Sequence, residues 1–189
     1  FPTRRSSDLL GLLDFQVLAP MHRGSCGVKN LNDVIREIVN PKQEGKQELK
    51  WFRYGDKVMV IENDYQLGVF NGDLGIVCEV GRGDLVVDFG ECAVTFTGEQ
   101  LDLLTLAYAS TIHKSQGSEF PLVIMPIVNQ HYIMLQRNLI YTGMTRAKRR
   151  LVLVGDERAV KRAVKNNKID KRFSMLAERI KGGENGECG

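Results

Sequence analysis

The sequence predicts an α/β protein, in which a parallel sheet has helices on both faces and carries a small inserted module of antiparallel strands. Apolar stretches of strand length occur at residues 13–19, 122–128 and 151–154, and segments of helical periodicity follow the first and separate the other two. Strands joined by helical crossovers form parallel sheets. Residues 51–100 instead form short runs separated by turn pairs, which predicts the antiparallel module.

The first βα unit is predicted from residue 13 onward. A strand over 13–19 ends at Pro20, and a loop follows over 21–27. The next segment has the apolar spacing i, i+3, i+4, i+7 and i+8, which predicts a one-sided helix. Asn30 is the predicted N-cap of this helix, and Pro41 ends it. The apolar positions are Leu31, Val34, Ile35, Ile38 and Val39.

The inserted module is predicted at residues 76–100, between a first α/β part over 9–75 and a second over 101–181. Short strands are predicted at 58–62, 74–80, 85–89 and 93–96, with turns at 71–72 and 82–83. Such a module can hold or split a nucleic-acid strand, or it can be a packing insertion, and the pattern favours neither.

The remaining elements continue the α/β pattern. A short strand is predicted at 106–109, and the continuously apolar run 122–128 indicates a strand buried on both faces. Helical spacing follows within 134–147 and at 159–164 and 173–180. Residues 1–8 fit no element and are interpreted as a non-native or disordered leader, and the Gly-rich, acidic residues 182–189 are predicted to form a flexible tail.

Composition excludes several classes of protein. The chain has 189 residues, of which 43% are hydrophobic, and no apolar run approaches the roughly 20 residues that span a bilayer. With no secretory leader pattern, we expect a cytoplasmic protein. The cysteines have no paired metal-ligand spacing, which favours free thiols over a disulfide or a zinc site. They are Cys26, Cys78, Cys92 and Cys188.

The net charge of +3 is unevenly distributed. Residues 1–136 have 12 basic and 17 acidic side chains, whereas residues 137–181 have 14 basic and 4 acidic ones. A basic C-terminal part is typical of a surface that binds a polyanion, because phosphate contacts dominate nucleic-acid affinity. The alternative is an ordinary solvated helix face.

Two polar stretches carry the chemistry. Residues 110–119 read STIHKSQGSE and residues 137–147 read RNLIYTGMTRA, and each precedes an apolar strand. We expect them to form one site at strand edges, where strands end and helices begin. The Glu119 carboxylate can accept sugar hydroxyls, and the planar guanidinium of Arg146 can clamp phosphate oxygens. These groups predict a nucleotide-dependent site.

The two stretches resemble motifs V and VI of superfamily 1 helicases. Residues 21–27 resemble motif IV, and GDKVM at 55–59 and VFNGDLG at 69–75 resemble the RecD-like branch. The resemblance covers roughly residues 13–181 and implies a second RecA-like domain with an SH3-like insertion. It also implies the C-terminal motor domain of an ATP-dependent, 5′ to 3′ DNA helicase. Implied partners are single-stranded DNA and an N-terminal RecA-like domain of the same protein, with ATP and Mg²⁺ in the intact enzyme.

The resemblance implies roles for individual residues. Arg146 is the implied catalytic arginine finger, although an arginine near a helix C-terminus is also favoured there by the helix dipole. Residues implied to bind the nucleotide are Glu119, Gly117 and Arg23, of which Arg23 could equally be a surface residue. Residues implied to bind DNA are Thr111, His113, Lys114, Gln116 and Asn71, and His113 and Lys114 could instead simply face solvent. No metal ligand is predicted.

The 189 residues contain no G-x-x-x-x-G-K-[ST] phosphate loop and no acidic strand-end pair placed to hold Mg²⁺. We therefore expect this chain alone neither to bind ATP fully nor to hydrolyse it. Two alternatives remain open: a non-enzymatic nucleic-acid-binding module, and the motor half of a conjugative relaxase or an RNA helicase.

Overall fold

The protein is represented by a computed structural model that describes residues 11–45, 47–128, 134 and 136–166. The strands are β1 (Phe15–Ala19), β2 (Glu48–Leu49), β3 (Phe52–Arg53), β4 (Lys57–Val60), β5 (Leu74–Val80), β6 (Asp84–Asp88), β7 (Ala93–Thr97), β8 (Leu104–Leu106), β9 (Ala109–Thr111), β10 (Phe120–Ile127) and β11 (Ala147–Gly155). The α-helices are α1 (Val28–Val39), α2 (Arg137–Met144) and α3 (Glu157–Lys165), and a 3-10 helix covers Gly98–Leu103. The predicted leader, the helix at 173–180, the tail and Cys188 lie outside the described residues.

The predicted parallel sheet is present. Its order is β11-β10-β1-β9, and every neighbouring pair is parallel. Helices α2 and α3 pack on one face, where Gly143 lies so close to the Met125 side chain that an added Cβ would come within 2.6 Å of it. Among the described residues, no helix is both long and apolar enough to span a membrane. The core under these helices contains Leu18, Ile112, Val123, Met125, Ile127, Leu139, Ile140, Ala159 and Ala163.

Helix α1 begins earlier than predicted and buries a different face. Its N-cap is Gly27, so the assignment of Asn30 as N-cap is wrong; Asn30 instead donates a side-chain hydrogen bond to the Ser25 carbonyl. The predicted apolar stripe faces largely outward, with Val34 49% and Ile38 74% exposed. Polar contacts orient the helix instead, because Asn32 bonds both backbone groups of Ala109.

The antiparallel module is a five-stranded sheet of order β7-β6-β5-β4-β8. Its core contains Phe52, Val58, Val77, Leu85 and Phe96. The sheet includes β4 and β8 as well as the strands within 76–100, so we propose that the module extends from residue 57 to residue 106. The strand predicted at 106–109 is divided: residue 106 ends β8 in this sheet, and residue 109 begins β9 in the other. The chain crosses from one sheet to the other at the buried residues Ala107 and Tyr108.

A buried aspartate connects α1 to the module, because the Asp56 carboxylate binds α1 and its backbone carbonyl accepts from the Val77 N–H of β5 at 2.9 Å. Asp56 is fully buried and accepts hydrogen bonds from Arg36 Nε at 3.0 Å and from Asn40 Nδ2 at 2.8 Å. The Arg53 backbone N–H at 2.8 Å and the Tyr108 hydroxyl at 3.1 Å donate to it as well. Burial raises the pKa of Tyr108 well above its ordinary value, with the Asp56 charge adding to the effect, so this hydroxyl stays protonated and donates.

A buried lysine makes a second connection between the two sheets. Lys57 of β4 is fully buried, and its Nζ donates to the Phe15 carbonyl at 2.7 Å and to Gln16 Oε1 at 3.0 Å. Gln16 in turn donates from Nε2 to the Ala107 carbonyl at 3.1 Å. Burial lowers the pKa of Lys57 to about 7, although the nearby Asp14 partly opposes the shift.

The lowered pKa of Lys57 predicts a pH-dependent stability. Between pH about 7 and the unfolded value of about 10.5, the unfolded chain binds a proton that the folded chain has lost, so stability rises with pH across this interval. Between pH 7 and pH 9.5, the free energy of unfolding of the unaltered chain should rise by on the order of 2–4 kcal/mol more than that of Lys57→Met. The methionine side chain cannot titrate. Urea denaturation of both proteins at pH 7 and pH 9.5 measures this difference. An equal pH dependence in both would contradict it.

Candidate nucleotide and nucleic-acid sites

Both polar stretches end at the amino edge of the parallel sheet, but the first of them begins at the carboxyl edge. Glu119 and Arg146 each precede the first residue of a strand, and those first residues, Phe120 and Ala147, are paired. They therefore lie at the amino end of β10 and β11. Thr111 is the last residue of β9, level with Ala19 at the carboxyl end of β1. The structure therefore does not support the expected single site where strands end, because both motifs come before their apolar strands in the chain.

The amino-edge cluster combines a carboxylate with cations. Glu119 Oε2 lies 3.2 Å from Lys148 Nζ, and both side chains are about half exposed, at 54% and 55%. The Phe120 backbone N–H donates to the Arg146 carbonyl at 2.8 Å, which fixes residues 119 and 146 side by side. This edge can present a carboxylate and a guanidinium to one ligand.

Arg146 is held by neutral oxygens. Its Nε donates to the Thr142 carbonyl at 3.2 Å, its Nη1 to the Ser118 carbonyl at 3.3 Å and its Nη2 to Thr145 Oγ1 at 3.1 Å. Within the described ranges no carboxylate lies within 4.0 Å of its guanidinium, so its charge is not neutralised by an ion pair. The contact with Thr142 also matches the alternative of an arginine at a helix C-terminus. The partly buried, ion-pair-free guanidinium fits an anionic ligand.

Gly117 lies in the turn between the two edges. Its φ is +90°, and an added Cβ would meet nothing within 4 Å. A glycine is needed here because other residues rarely adopt this backbone conformation. Close packing is not the reason, because no described atom lies near the position of the missing side chain.

The carboxyl edge of the sheet borders a cavity of about 290 Å³. The end of β9, the start of α1 and the hairpin of β2 and β3 surround it. Thr111 Oγ1 accepts from the Lys114 backbone N–H at 3.2 Å, so the hydroxyl proton of Thr111 stays available to a ligand. The polar and aromatic lining includes His22, Lys29, Asn32, Trp51, Thr111 and Lys114.

The other predicted residues are dispersed. Arg23 is exposed in the loop after β1, at the carboxyl edge and away from Glu119. His113 and Gln116 are exposed on the turn after β9 but do not line the cavity. Asn71 lies in the loop between β4 and β5, where its backbone N–H donates to Asn63 Oδ1 at 2.8 Å. Of the five predicted DNA contacts, the structure places Thr111 and Lys114 on this cavity.

Most of the side chains that line this cavity were not predicted as site residues, among them His22, Lys29 and Trp51. Trp51 could have been selected from the sequence as a candidate binding residue, because it is the only tryptophan and directly follows the last lysine of a polar connector. Lys29 carried no signal of its own, since a lysine in the first turn of a helix is ordinary on a surface.

The basic C-terminal part forms an exposed helix side. Helix α3 buries Ala159 and Ala163 against the sheet. Its outer side presents Arg158, Lys161, Arg162 and Lys165. In the described part of the chain, no group of three or more His, Cys, Asp or Glu side chains is placed to hold a metal ion, and Cys26, Cys78 and Cys92 are free thiols.

Comparison with known proteins relates two segments of the chain to domains of helicases. Residues 106–154 match the UvrD-like helicase C-terminal domain, and residues 31–89 match the SH3 domain of ATP-dependent RecD-like DNA helicases. Among solved structures, the fold resembles the Pif1 helicase from Bacteroides in complex with ADP-AlF3 and ssDNA, with a TM-score of 0.61, 18% identity, and coverage of 97% of this chain and 48% of that one. Pif1 helicase from Candida albicans gives a TM-score of 0.56 at 16% identity, over 90% of this chain and 49% of that one.

Among curated relatives, the chain is similar to helicases of the RecD-like branch. The ATP-dependent RecD2 DNA helicase of Deinococcus radiodurans is 38% identical over 167 residues, which is 88% of this chain and 23% of that protein. The RecBCD enzyme subunit RecD of Haemophilus influenzae is 35% identical, over 78% of this chain and 22% of that protein. The chain thus carries the UvrD-like C-terminal helicase domain and the SH3 domain of the RecD-like helicases. It spans less than a quarter of the length of these two relatives.

Proposed function

We propose that this chain is the C-terminal motor part of an ATP-dependent DNA helicase with 5′ to 3′ polarity. Its carboxyl-edge cavity contributes to a track for single-stranded DNA, and its amino edge presents Arg146 to the phosphates of ATP. A preceding RecA-like domain of the same protein supplies the phosphate loop and the ligands of Mg²⁺. The separation of two cation-bearing edges on one sheet is the observation that best supports this proposal.

The nucleotide side rests on the fit of Arg146 to an anion. Its guanidinium is partly buried, has no carboxylate partner among the described residues, and is oriented by three oxygen acceptors. Bound ATP would supply the phosphoryl group that is transferred to water. This chain's share is to orient a planar cation toward charge that develops on the phosphate. Glu119 at the same edge would accept hydroxyls of the ribose.

The segment 111–119 connects the two proposed sites directly. Thr111 begins it at the carboxyl edge and Glu119 ends it at the amino edge. Its middle is anchored, because Ser115 is buried and its hydroxyl donates to the Ile112 carbonyl at 2.7 Å. A displacement of the amino edge on ATP binding would therefore reach Thr111 and Lys114 through this turn, which couples hydrolysis to movement along the strand.

Binding of single strands tests the DNA side of the proposal. We expect the chain to bind fluorescein-labelled oligo-dT with an affinity that falls linearly with the logarithm of salt concentration. Lys114→Ala should reduce the magnitude of that slope by about 1, since one phosphate contact is lost. Lys42→Ala is the matched control, because Lys42 is 67% exposed in the connector and paired with Glu48.

Fluorescence anisotropy across a salt series measures both slopes. Absence of strand binding at low salt, or an unchanged slope in Lys114→Ala, would contradict the DNA track. Equal binding of RNA and DNA strands would favour the RNA-helicase alternative.

A further inference from the structure

The hairpin of β2 and β3 holds an aromatic side chain in a fixed, half-exposed position. Trp51 is 53% exposed at the tip of this hairpin, and its ring lies 5.7 Å from the buried ring of Phe52. Lys50 is the only non-glycine residue with positive φ in the described part of the chain, at 53°. Its Nζ lies 2.7 Å from Asp102 Oδ1 and 5.7 Å from the centre of the Trp51 ring.

These contacts hold the indole in place although much of it is exposed. A left-handed backbone conformation at a residue other than glycine is uncommon and costs free energy, so it persists where surrounding contacts maintain it. Here the ion pair with Asp102 fastens the turn to the 3-10 helix, and the ammonium group lies within cation–π distance of the ring. A large apolar side chain is thus kept toward solvent at the rim of the cavity.

The cavity lining also includes two lysines. Lys29 at the start of α1 and Lys114 after β9 line it, with one carboxylate, Asp33, against them. Neither lysine has an ion-pair partner within 4.0 Å among the described residues. The apolar side chains in the lining include Met59 and Leu106. The space thus combines aromatic and apolar side chains with two cationic ones.

We propose that this cavity binds a nucleobase of the single strand, stacked on Trp51, while Lys29 and Lys114 hold the adjacent phosphates. This inference rests on the proposed function and assigns a base-binding position within it. An isolated inorganic anion would use the lysines but not the indole, and an apolar peptide would use the indole but not the lysines. A nucleotide unit of a strand uses both, and stacking accepts any base because every base has a π face.

The proposal assigns a role to the antiparallel module. Met59 lies on β4 and Leu106 on β8 of its sheet, and the hairpin with Trp51 precedes it in the chain. The module and its hairpin thus supply Trp51, Met59 and Leu106 to the cavity, whereas α1 and the turn after β9 supply Lys29 and Lys114. Base stacking would make the module part of the strand track rather than a packing insertion.

Because the chain has a single tryptophan, its fluorescence reports directly on this site. We expect oligo-dT to quench Trp51 emission in the 189-residue chain, with a midpoint equal to that from anisotropy. An oligonucleotide of the same length with abasic sites keeps its phosphates and should bind more weakly, without quenching. Quenching by ATP but not by oligo-dT would assign the cavity to a free nucleotide and overturn the proposal.

Variants separate stacking from folding. Trp51→Ala should weaken oligo-dT binding by about 5- to 150-fold, the range that corresponds to loss of one stacked base. Trp51→Phe should retain much of the affinity, since a smaller aromatic ring still stacks. Tyr54→Ala is the matched control: Tyr54 is 55% exposed near the same hairpin but does not line the cavity, and its loss should leave binding unchanged. Circular dichroism establishes that each variant is folded.

The outcomes distinguish the two proposals. If the chain binds no strand at low salt, the proposed function fails and the base site fails with it. If the chain binds oligo-dT, but Trp51 emission does not change and Trp51→Ala binds as tightly as the unaltered chain, the base site fails while the DNA track stands. Tight binding of an apolar peptide that displaces oligo-dT would assign the cavity to a protein partner instead.

Discussion

Replacing Arg146 by alanine is expected to lower the kcat of ATP hydrolysis by about 10³- to 10⁵-fold in a helicase that joins this chain to its N-terminal motor domain. The affinity for ATP should change little. A guanidinium that meets the phosphate mainly as charge develops in the transition state contributes to kcat and not to ground-state binding. Steady-state ATPase kinetics with saturating single-stranded DNA, together with equilibrium binding of ATP, measure the two effects.

Two further variants make this test specific. Arg146→Lys should not restore activity, because a point charge on a flexible stem cannot replace the three hydrogen bonds that hold the planar guanidinium. Glu119→Ala should raise KM more than it lowers kcat, since a ribose contact is present equally in the ground and transition states. A loss of kcat in the Arg146 variants and a rise in KM in Glu119→Ala would distinguish a catalytic role from a binding role for these two neighbouring residues.

The competing account makes Arg146 a support for the end of α2. In that case Arg146→Ala would lower the thermal midpoint through loss of the contacts with Thr142 and Ser118, while kcat stayed near its original value. A normal kcat in the folded variant would remove the arginine-finger role. A large loss of kcat at an unchanged melting temperature would support it.

The parallel sheet could be predicted because its signal is local. The apolar run at 122–128 lies within two residues of β10, and the strand at 13–19 contains β1. Apolar runs between polar motifs need no knowledge of the rest of the chain, since burial on both faces of a parallel sheet demands them.

The orientation of α1 could not be predicted, because it depends on residues distant in sequence. Periodicity indicated the side with Val34 and Ile38, but the buried side contains Asn32 and Arg36. Their partners are Ala109 and Asp56, at sequence separations of 77 and 20 residues. Hydrogen bonds and an ion pair of this kind leave no hydrophobic pattern to detect.

The roles predicted for the site residues stay predictions, but the structure shows where those residues lie. The motifs identified Glu119 and Arg146, which the structure does bring side by side. Thr111 and Lys114 lie at the opposite edge because a strand's amino and carboxyl ends are separated by its whole length, which a list of motif residues does not express. Trp51 belongs to a hairpin whose position relative to β9 only the assembled fold defines.

The second large effect is expected on stability, from the carboxylate that joins α1 to the module. Asp56→Ala would leave Arg36, whose side chain is only 10% exposed, without its ion-pair partner. It would also leave the Tyr108 hydroxyl without its acceptor, and Asn40 Nδ2 with the Tyr54 carbonyl alone. Breaking a buried pair from one side costs about 3–5 kcal/mol. Since domains of this size are stable by only about 5–15 kcal/mol, this loss would bring the chain close to unfolding.

Matched variants show whether charge or packing accounts for that loss. Tyr108→Phe removes one donor and should cost about 1 kcal/mol. Arg36→Met combined with Asp56→Leu should cost less than Asp56→Ala alone, because neither charge is then left unpaired in the interior. Urea denaturation followed by circular dichroism gives the free energy of unfolding for each. An Asp56→Ala protein as stable as the unaltered chain, or a double variant less stable than Asp56→Ala, would show that the ion pair does not hold α1 to the module.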